Sequence, residues 1–276
     1  MRREPTARQS RLATELRRLR EAAGLTSRQA ASLLGVSPAQ ITHIESALAG
    51  VSEQRLRRLA SHYACTDGVF VDALVAMATD RTRGWWEEYR GSLPTPFLDL
   101  SELEHHARFL RHVAILYVPG LLQTEAYSHA VFSSRLPELT AEEVELRIQH
   151  RRARQRFTIP YEAVIHEAAL RIRVGDRGTS RAQLARLVEL SEADHITVRV
   201  IPFDLDGFAS AAGTMTYVGG PLPRLDTVVR DALHGSAFID SDAQLTIYRT
   251  SFRKVEDVAL DPGQSRDFIH ALAKQL

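Results

Sequence analysis

Few side chains in this sequence stand at spacings where chemistry is feasible. The most suggestive set is the run Ser37-Pro38-Ala39-Gln40-Ile41-Thr42-His43-Ile44. Ile41 and Ile44 recur at helical spacing and point inward, which leaves Ser37, Pro38, Ala39, Gln40, Thr42 and His43 outside. Such a face suits recognition by hydrogen bonds rather than bond-making. A second set, Glu104-His105-His106 with His112, has metal-binding atoms at the wrong spacing. Adjacent residues on a helix point about 100° apart, so His105 and His106 do not converge on one ion. His166-Glu167 alternates sides on a strand and is no acid–base pair by itself. The chain has no P-loop, no G-x-G-x-x-G after a strand, no G-x-S-x-G and no cysteine cluster. No enzyme, metal or cofactor is expected; the expected chemistry is binding.

The elements that must position the polar run read as short helices. The first spans about Thr6 to Ala22, with Leu12, Leu16 and Leu19 along one stripe. Arg11, Glu15, Arg17, Arg18 and Glu21 fall on its other faces. Gly24 follows as a residue suited to positive φ. Thr26 opens a second helix with Gln29 three residues on, and Ser37 repeats that capping-box spacing with Gln40. Pro38 takes the favoured first helical position. Ser52 caps a fourth helix with Arg55, Arg57 and Arg58 facing out, and a fifth runs from about Asp67 to Ala78.

The chain has 276 residues, 44% apolar and 25% charged, which is ordinary for a soluble globular protein. Lone Cys65 forms no internal disulfide, which points to a reducing cytoplasm. The longest apolar runs, Ala73 to Ala78 and Val113 to Val118, fall far short of the roughly 20 residues that cross a bilayer. No apolar segment follows the Arg-rich start, so a secretory signal and a membrane association are not expected. The net charge of +1 conceals a division. Residues 1–64 hold 11 Arg against 5 Glu, a net +6, while the rest holds 24 basic against 29 acidic residues, a net −5. A basic head on an acidic body fits a head that meets a polyanion.

Two short helices joined through Gly-Val-Ser and framed by longer ones make a helix-turn-helix arrangement. Leu25-Thr26, Ala31, Leu34-Gly35-Val36-Ser37 and Ile41-Thr42-His43-Ile44-Glu45 resemble the Xre-type DNA-binding module over residues 11–64. The resemblance implies that Ser37, Pro38, Ala39 and His43 face base edges, in a major groove about 12 Å wide. It places Gln40 and Thr42 nearer the DNA backbone, with Ser27 and Arg28 reaching phosphate from a helix N-terminus. Arg2, Arg3, Arg8 and Arg11 would form a basic arm or flank that adds counterion release. Some positions depart from the pattern. Ala47 stands where glycine is usual, Leu48 and Ala49 stand where phosphate-gripping side chains are common, and Ser27 replaces a glutamine. Weaker DNA binding than the family average is expected.

Residues 1–80 read as the DNA-binding domain, 81–84 as a linker and 85–276 as a second domain. Helices are expected near 100–111, 140–156, 180–192, 241–257 and 262–275. Strands are expected at 113–118, 161–167, 196–202, 214–218, 227–231 and 237–240, with turns at Gly219-Gly220 and His234-Gly235. The fold class is a mainly α five-helix head plus an α+β body with a small, mostly antiparallel sheet.

Trp85-Trp86-Glu87, Val118-Pro119-Gly120-Leu121-Leu122-Gln123-Thr124, Glu167-Ala168-Ala169-Leu170 and Val198-Arg199-Val200-Ile201-Pro202-Phe203 carry a second resemblance. They are similar to the C-terminal domain of actinobacterial antitoxin-like regulators, first catalogued as of unknown function. The resemblance implies a cytoplasmic transcriptional regulator whose body binds a small partner protein encoded nearby; taken with the charge division and the capping boxes, the leading expectation is a homodimer on double-stranded DNA. Trp85, Trp86, Pro119, Leu121, Leu122 and Gln123 are the candidate partner contacts. The same Val-Pro-Gly-Leu-Leu-Gln run also reads as a plain strand-to-helix turn, and the tryptophans as an interdomain anchor. Two alternatives stay open: a small-molecule sensor, and an enzyme or interaction protein with a degenerate head.

Overall fold

The computed structural model describes residues 4–80, 82–205, 213–232 and 235–276. Arg2, Arg3 and His234, singled out above, and Arg81, the first residue of the expected linker, lie outside the described residues. The chain divides into two compact units, Met1–Gly84 and Trp85–Leu276. Among the described residues, no helix is long and apolar enough to cross a membrane.

The first unit is helical: α1 (Ala7–Ala22), α2 (Ser27–Leu34), α3 (Pro38–Glu45), α4 (Glu53–His62) and α5 (Gly68–Thr79). Each begins at a side-chain cap. Thr6, Thr26, Ser37, Ser52 and Asp67 accept from the backbone N–H three residues on. Gly35, with φ at 71°, ends α2 in the left-handed region and turns the chain into α3. Leu16, Ala30, Leu34, Ile41, Leu56 and Phe70 fill the interior. One expectation fails here. Arg11 and Glu15 are not on an outer face but buried, at 4% and 1% exposure. They pair within the helix at 3.3 Å, and mutual neutralisation lets both enter the interior.

The second unit is built on a six-stranded mixed sheet in the order β3-β2-β1-β4-β5-β6. The strands are β1 (Phe109–Ala114), β2 (Tyr161–His166), β3 (Ile196–Ile201), β4 (Met215–Gly219), β5 (Thr227–Ala232) and β6 (Gly235–Ile239). β1, β2 and β3 run parallel, whereas β4, β5 and β6 add antiparallel neighbours. The parallel crossovers pass through α7 (Glu125–Ser133) with α8 (Ala141–Arg154), then α9 (Glu167–Arg171) with α10 (Arg177–Leu190). Tyr161, Ala163 and Ile165 of β2 and Ile196, Val198 and Val200 of β3 face the main apolar cluster, whereas on the other face Val164 and Ile201 stand beside Glu162 and Arg199, which pair at 3.5 Å.

Leu110, Ile165, Val198 and Val218 face Leu122, Tyr127, Leu187 and Ile269 in the main apolar cluster. On the opposite face, Val113, Val164, Met215 and Val228 meet Leu245, Phe252 and Val255 of α11 (Asp242–Val258). α6 (Thr95–His105) precedes the sheet and α12 (Pro262–Gln275) ends the chain. β1 starts earlier than the apolar run alone indicates: the helix before it stops at His105, and Leu110 and Val113 bury on opposite faces of the sheet. Gly219 lies opposite Phe109 rather than in a turn, and a Cβ there would come within 2.1 Å of the Phe109 ring.

Trp85 and Trp86 take part in the second unit's own packing. Trp86 is 2% exposed and clusters with Tyr89, Leu93 and Leu98. Beside them His150 is 1% exposed, 2.9 Å from the Ser101 hydroxyl, edge-on to Tyr89 and Phe97 and tilted against Trp85. Burial, with Arg154 and Arg151 nearby, holds its pKa down to about 3. The unfolded chain protonates this histidine near its ordinary value of about 6.5, so stability is full above that pH and falls as pH drops. Urea unfolding followed by tryptophan fluorescence should show a declining midpoint between about pH 6.5 and 5. His150→Gln should flatten that decline; an unchanged slope would exclude the neutral buried imidazole.

Candidate nucleic-acid interface

The outer surface of α3 begins with its cap. The Ser37 hydroxyl accepts from Gln40 N–H at 3.3 Å, but Gln40 does not return a bond to the cap, unlike Gln29 in α2. The expected box is therefore half made, and the Gln40 side-chain amide has no hydrogen-bond partner among the described residues. Pro38, Ala39, Thr42 and His43 are exposed and Gln40 is half-buried. On the inner side Ile41 and Ile44 are 1% and 3% exposed. Ser27 is half-buried and Arg28 exposed at the start of α2. The structure thus brings Ser37, Pro38, Ala39, Gln40, Thr42 and His43 together on one helix, as a bare surface of hydrogen-bonding and small side chains.

What holds that helix in place is an ion pair that the motif reading did not single out. The guanidinium of Arg20, late in α1, donates to both carboxylate oxygens of Glu45, the last residue of α3, at 2.7 and 2.9 Å. Its remaining nitrogen donates to the Leu25 carbonyl at 2.6 Å, just before α2. A two-point fork of this kind fixes direction as well as distance. The hydrogen bond to Glu45 raises the Arg20 pKa further. Tyr63 next to the pair is pushed up to about 12, mainly by burial and then by the Glu45 charge.

The basic flank is thinner than the sequence count implies. Arg11 is a correction: it is buried against Glu15 and offers nothing to phosphate. Arg8 pairs with Asp80 at 3.0 Å, Arg17 with Glu21 at 2.7 Å, and Arg57 with both Glu53 and Asp72. Arg28, Arg55 and Arg58 remain without an ion pair among the described residues. Most of the head's positive charge is thus spent on internal pairing.

After α3 the chain turns back through Ala47, at φ 58°. Leu48 and Ala49 N–H groups both donate to the His43 carbonyl, at 2.8 and 3.1 Å. The position is left-handed, which is why glycine is usual there, and alanine tolerates it at a cost. Leu48 follows at 55% exposure.

The candidate partner contacts in the second unit are a correction as well. Trp86, Leu121, Leu122 and Gln123 are 2%, 6%, 0% and 6% exposed, Pro119 is buried and Trp85 half-buried. The run from Val118 to Thr124 is a turn whose backbone is satisfied by glutamines. Gln123 Nε2 donates to the Val118 carbonyl at 2.7 Å and Gln183 Nε2 to the Leu122 carbonyl at 2.9 Å. Gln155 Nε2 donates to the Gly120 and Gln123 carbonyls at 2.9 and 2.8 Å, and Gln183 Oε1 accepts from Thr124 N–H at 2.7 Å. Arg151 donates to Gln123 Oε1 and lies over the Phe132 ring, 4.2 Å from its centroid. A buried turn needs its carbonyls paired, and this one recruits α8 and α10 to do so. It is architecture, not an exposed contact surface. His105 and His106 stack edge-on at 5.0 Å, and no group of three or more His, Cys, Asp or Glu able to hold a metal occurs among the described residues.

Two family models match the chain. A helix-turn-helix domain covers residues 11–74, and a domain of unknown function, DUF5753, covers residues 97–271. The first assigns the N-terminal unit to a class of DNA-binding regulator domains. No curated protein and no solved structure matches the chain at a significant level.

The left-handed Ala47 yields a direct test of this local geometry. Ala47→Gly should raise the stability of the intact protein by about 0.5–1 kcal/mol, read as a higher urea midpoint by circular dichroism. A loss of similar size, as glycine causes in a regular helix, would contradict it.

Proposed function

The chain belongs to the DUF5753 family and carries a helix-turn-helix domain, and we propose that it is a sequence-specific, antitoxin-like transcriptional regulator of the Xre type. It is no enzyme on this reading; it works in the cytoplasm as a homodimer with two α3 helices one helical turn apart on double-stranded DNA. Its second unit is the gate, operated by a small partner protein. The observation that carries the reading is the bare outer face of α3, with a Gln40 amide unpartnered among the described residues and an exposed His43, over a packed inner face. Because the Val118–Thr124 turn is buried, the partner docks elsewhere on the second unit.

A small-molecule-sensing version is favoured by one feature, a cleft of about 240 Å³ lined by Leu121, Gln155, Phe157, Leu190 and His195. Thermal shift of the whole chain against a metabolite panel separates the two gates, since only a bound small molecule stabilises without a second protein.

Fluorescence anisotropy on a duplex from the gene's own upstream region tests DNA binding. His43→Ala should weaken that binding by about 1–3 kcal/mol and leave random duplex unchanged, whereas Gln40→Ala, at a backbone-side position, should weaken upstream and random duplex alike. With so few free arginines, log affinity against log salt should be shallower than about −6 for the dimer. Equal affinity for upstream and random duplex would overturn the reading.

A further inference from the structure

The two edges of the sheet are treated differently. At β3 the Val200 carbonyl accepts from Leu260 N–H at 2.9 Å, and Val200 N–H donates to the Ser265 hydroxyl at 2.9 Å. The entry to α12 therefore closes that edge. At β6 no described residue bonds to the side that faces away from β5. The strand reads Gly235-Ser236-Ala237-Phe238-Ile239 in unbroken register with β5. It has no proline, no charge and no bulge, the guards that usually keep an open edge from pairing. Ala237 is exposed, and the Ser236 hydroxyl is already taken by Asp231 at 2.6 Å.

We propose that β6 is the place where a second copy of this chain pairs, antiparallel, across a two-fold axis at Ala237. The order of side-chain sizes selects that occupant. With Ala237 opposite its own counterpart, Ser236 faces Phe238 of the second copy and Gly235 faces Ile239. Each bulky side chain meets a small one, so the two faces fill without gap or clash. The pairing adds about four main-chain hydrogen bonds and continues the sheet through both copies. Two five-residue strands bury less than the roughly 1,200 Å² of a stable interface, so the contact is weak alone. It gains strength when two chains are already held close, as they are on adjacent DNA half-sites. Its purpose rests on the DNA-binding reading above; its geometry does not.

Disulfide trapping of the full chain without DNA tests the proposal. In a Cys65→Ser background, Ala237→Cys puts two thiols on the axis with Cα atoms about 4.5–5.5 Å apart, within disulfide reach. Under mild oxidation this variant should form covalent dimers about tenfold faster than Gln149→Cys, an exposed control on α8. Ser236→Cys, which faces Phe238 in this register, should trap slowly. Equal rates for Ala237→Cys and the control overturn the edge pairing, and fast trapping by Ser236→Cys overturns the register. Because no DNA is present, failure of operator binding leaves the trapping result standing, and failure of trapping leaves operator binding standing.

Discussion

The placement of α3 depends on the Arg20–Glu45 pair. A helix of eight residues with two inward isoleucines has little to fix its direction. The bidentate contact sets that direction by joining the end of α3 to α1, and the Leu25 carbonyl adds the start of α2. Both side chains are nearly out of water, at 9% and 7% exposure, so attraction is strong but desolvation opposes it. The pair's value lies in geometry more than in net energy. With Glu45 turned inward, the outer side of α3 has only local duties: Ser37 caps the helix and Pro38 opens it, while Pro38, Ala39, Thr42 and His43 stay exposed.

The second unit uses the same economy on a different problem. Its most conspicuous motif, Val118 to Thr124, buries a turn between a strand and a helix, where backbone carbonyls have no ladder to join. Three glutamine side chains supply the partners, and Arg151 donates to the side-chain oxygen of one of them, Gln123. Replacing any one of them leaves a buried polar group unpaired, which costs about 1–3 kcal/mol. A motif can thus stand out because a fold needs it, with no ligand or partner involved.

Local rules made much of this legible. Side-chain oxygens at Thr6, Thr26, Ser37, Ser52 and Asp67 announce helix starts through the bonds they make, and all five cap where the residue types indicate. The glycine-like geometry at Ala47 was also visible, because the position normally takes glycine. Two things were hidden for physical reasons. Arg11 and Glu15 look exposed on a helical wheel, since charge is read as surface, but an i, i+4 pair can go inside as a neutral unit. Strand order was out of reach because parallel pairing joins segments tens of residues apart. Leu110 meets Tyr161, and nothing in either segment names the other. Cross-chain distance, not residue type, was the missing information.

The central claim is that the outer face of α3 reads base sequence, and selection from a random pool of duplexes tests it most directly. The account predicts enrichment of an inverted repeat whose half-sites lie about 10–10.5 base pairs apart, centre to centre. It also predicts that Ala at His43 changes the preferred base at one position of each half-site. A pool that emerges without enrichment, or a preference untouched by that substitution, would contradict it.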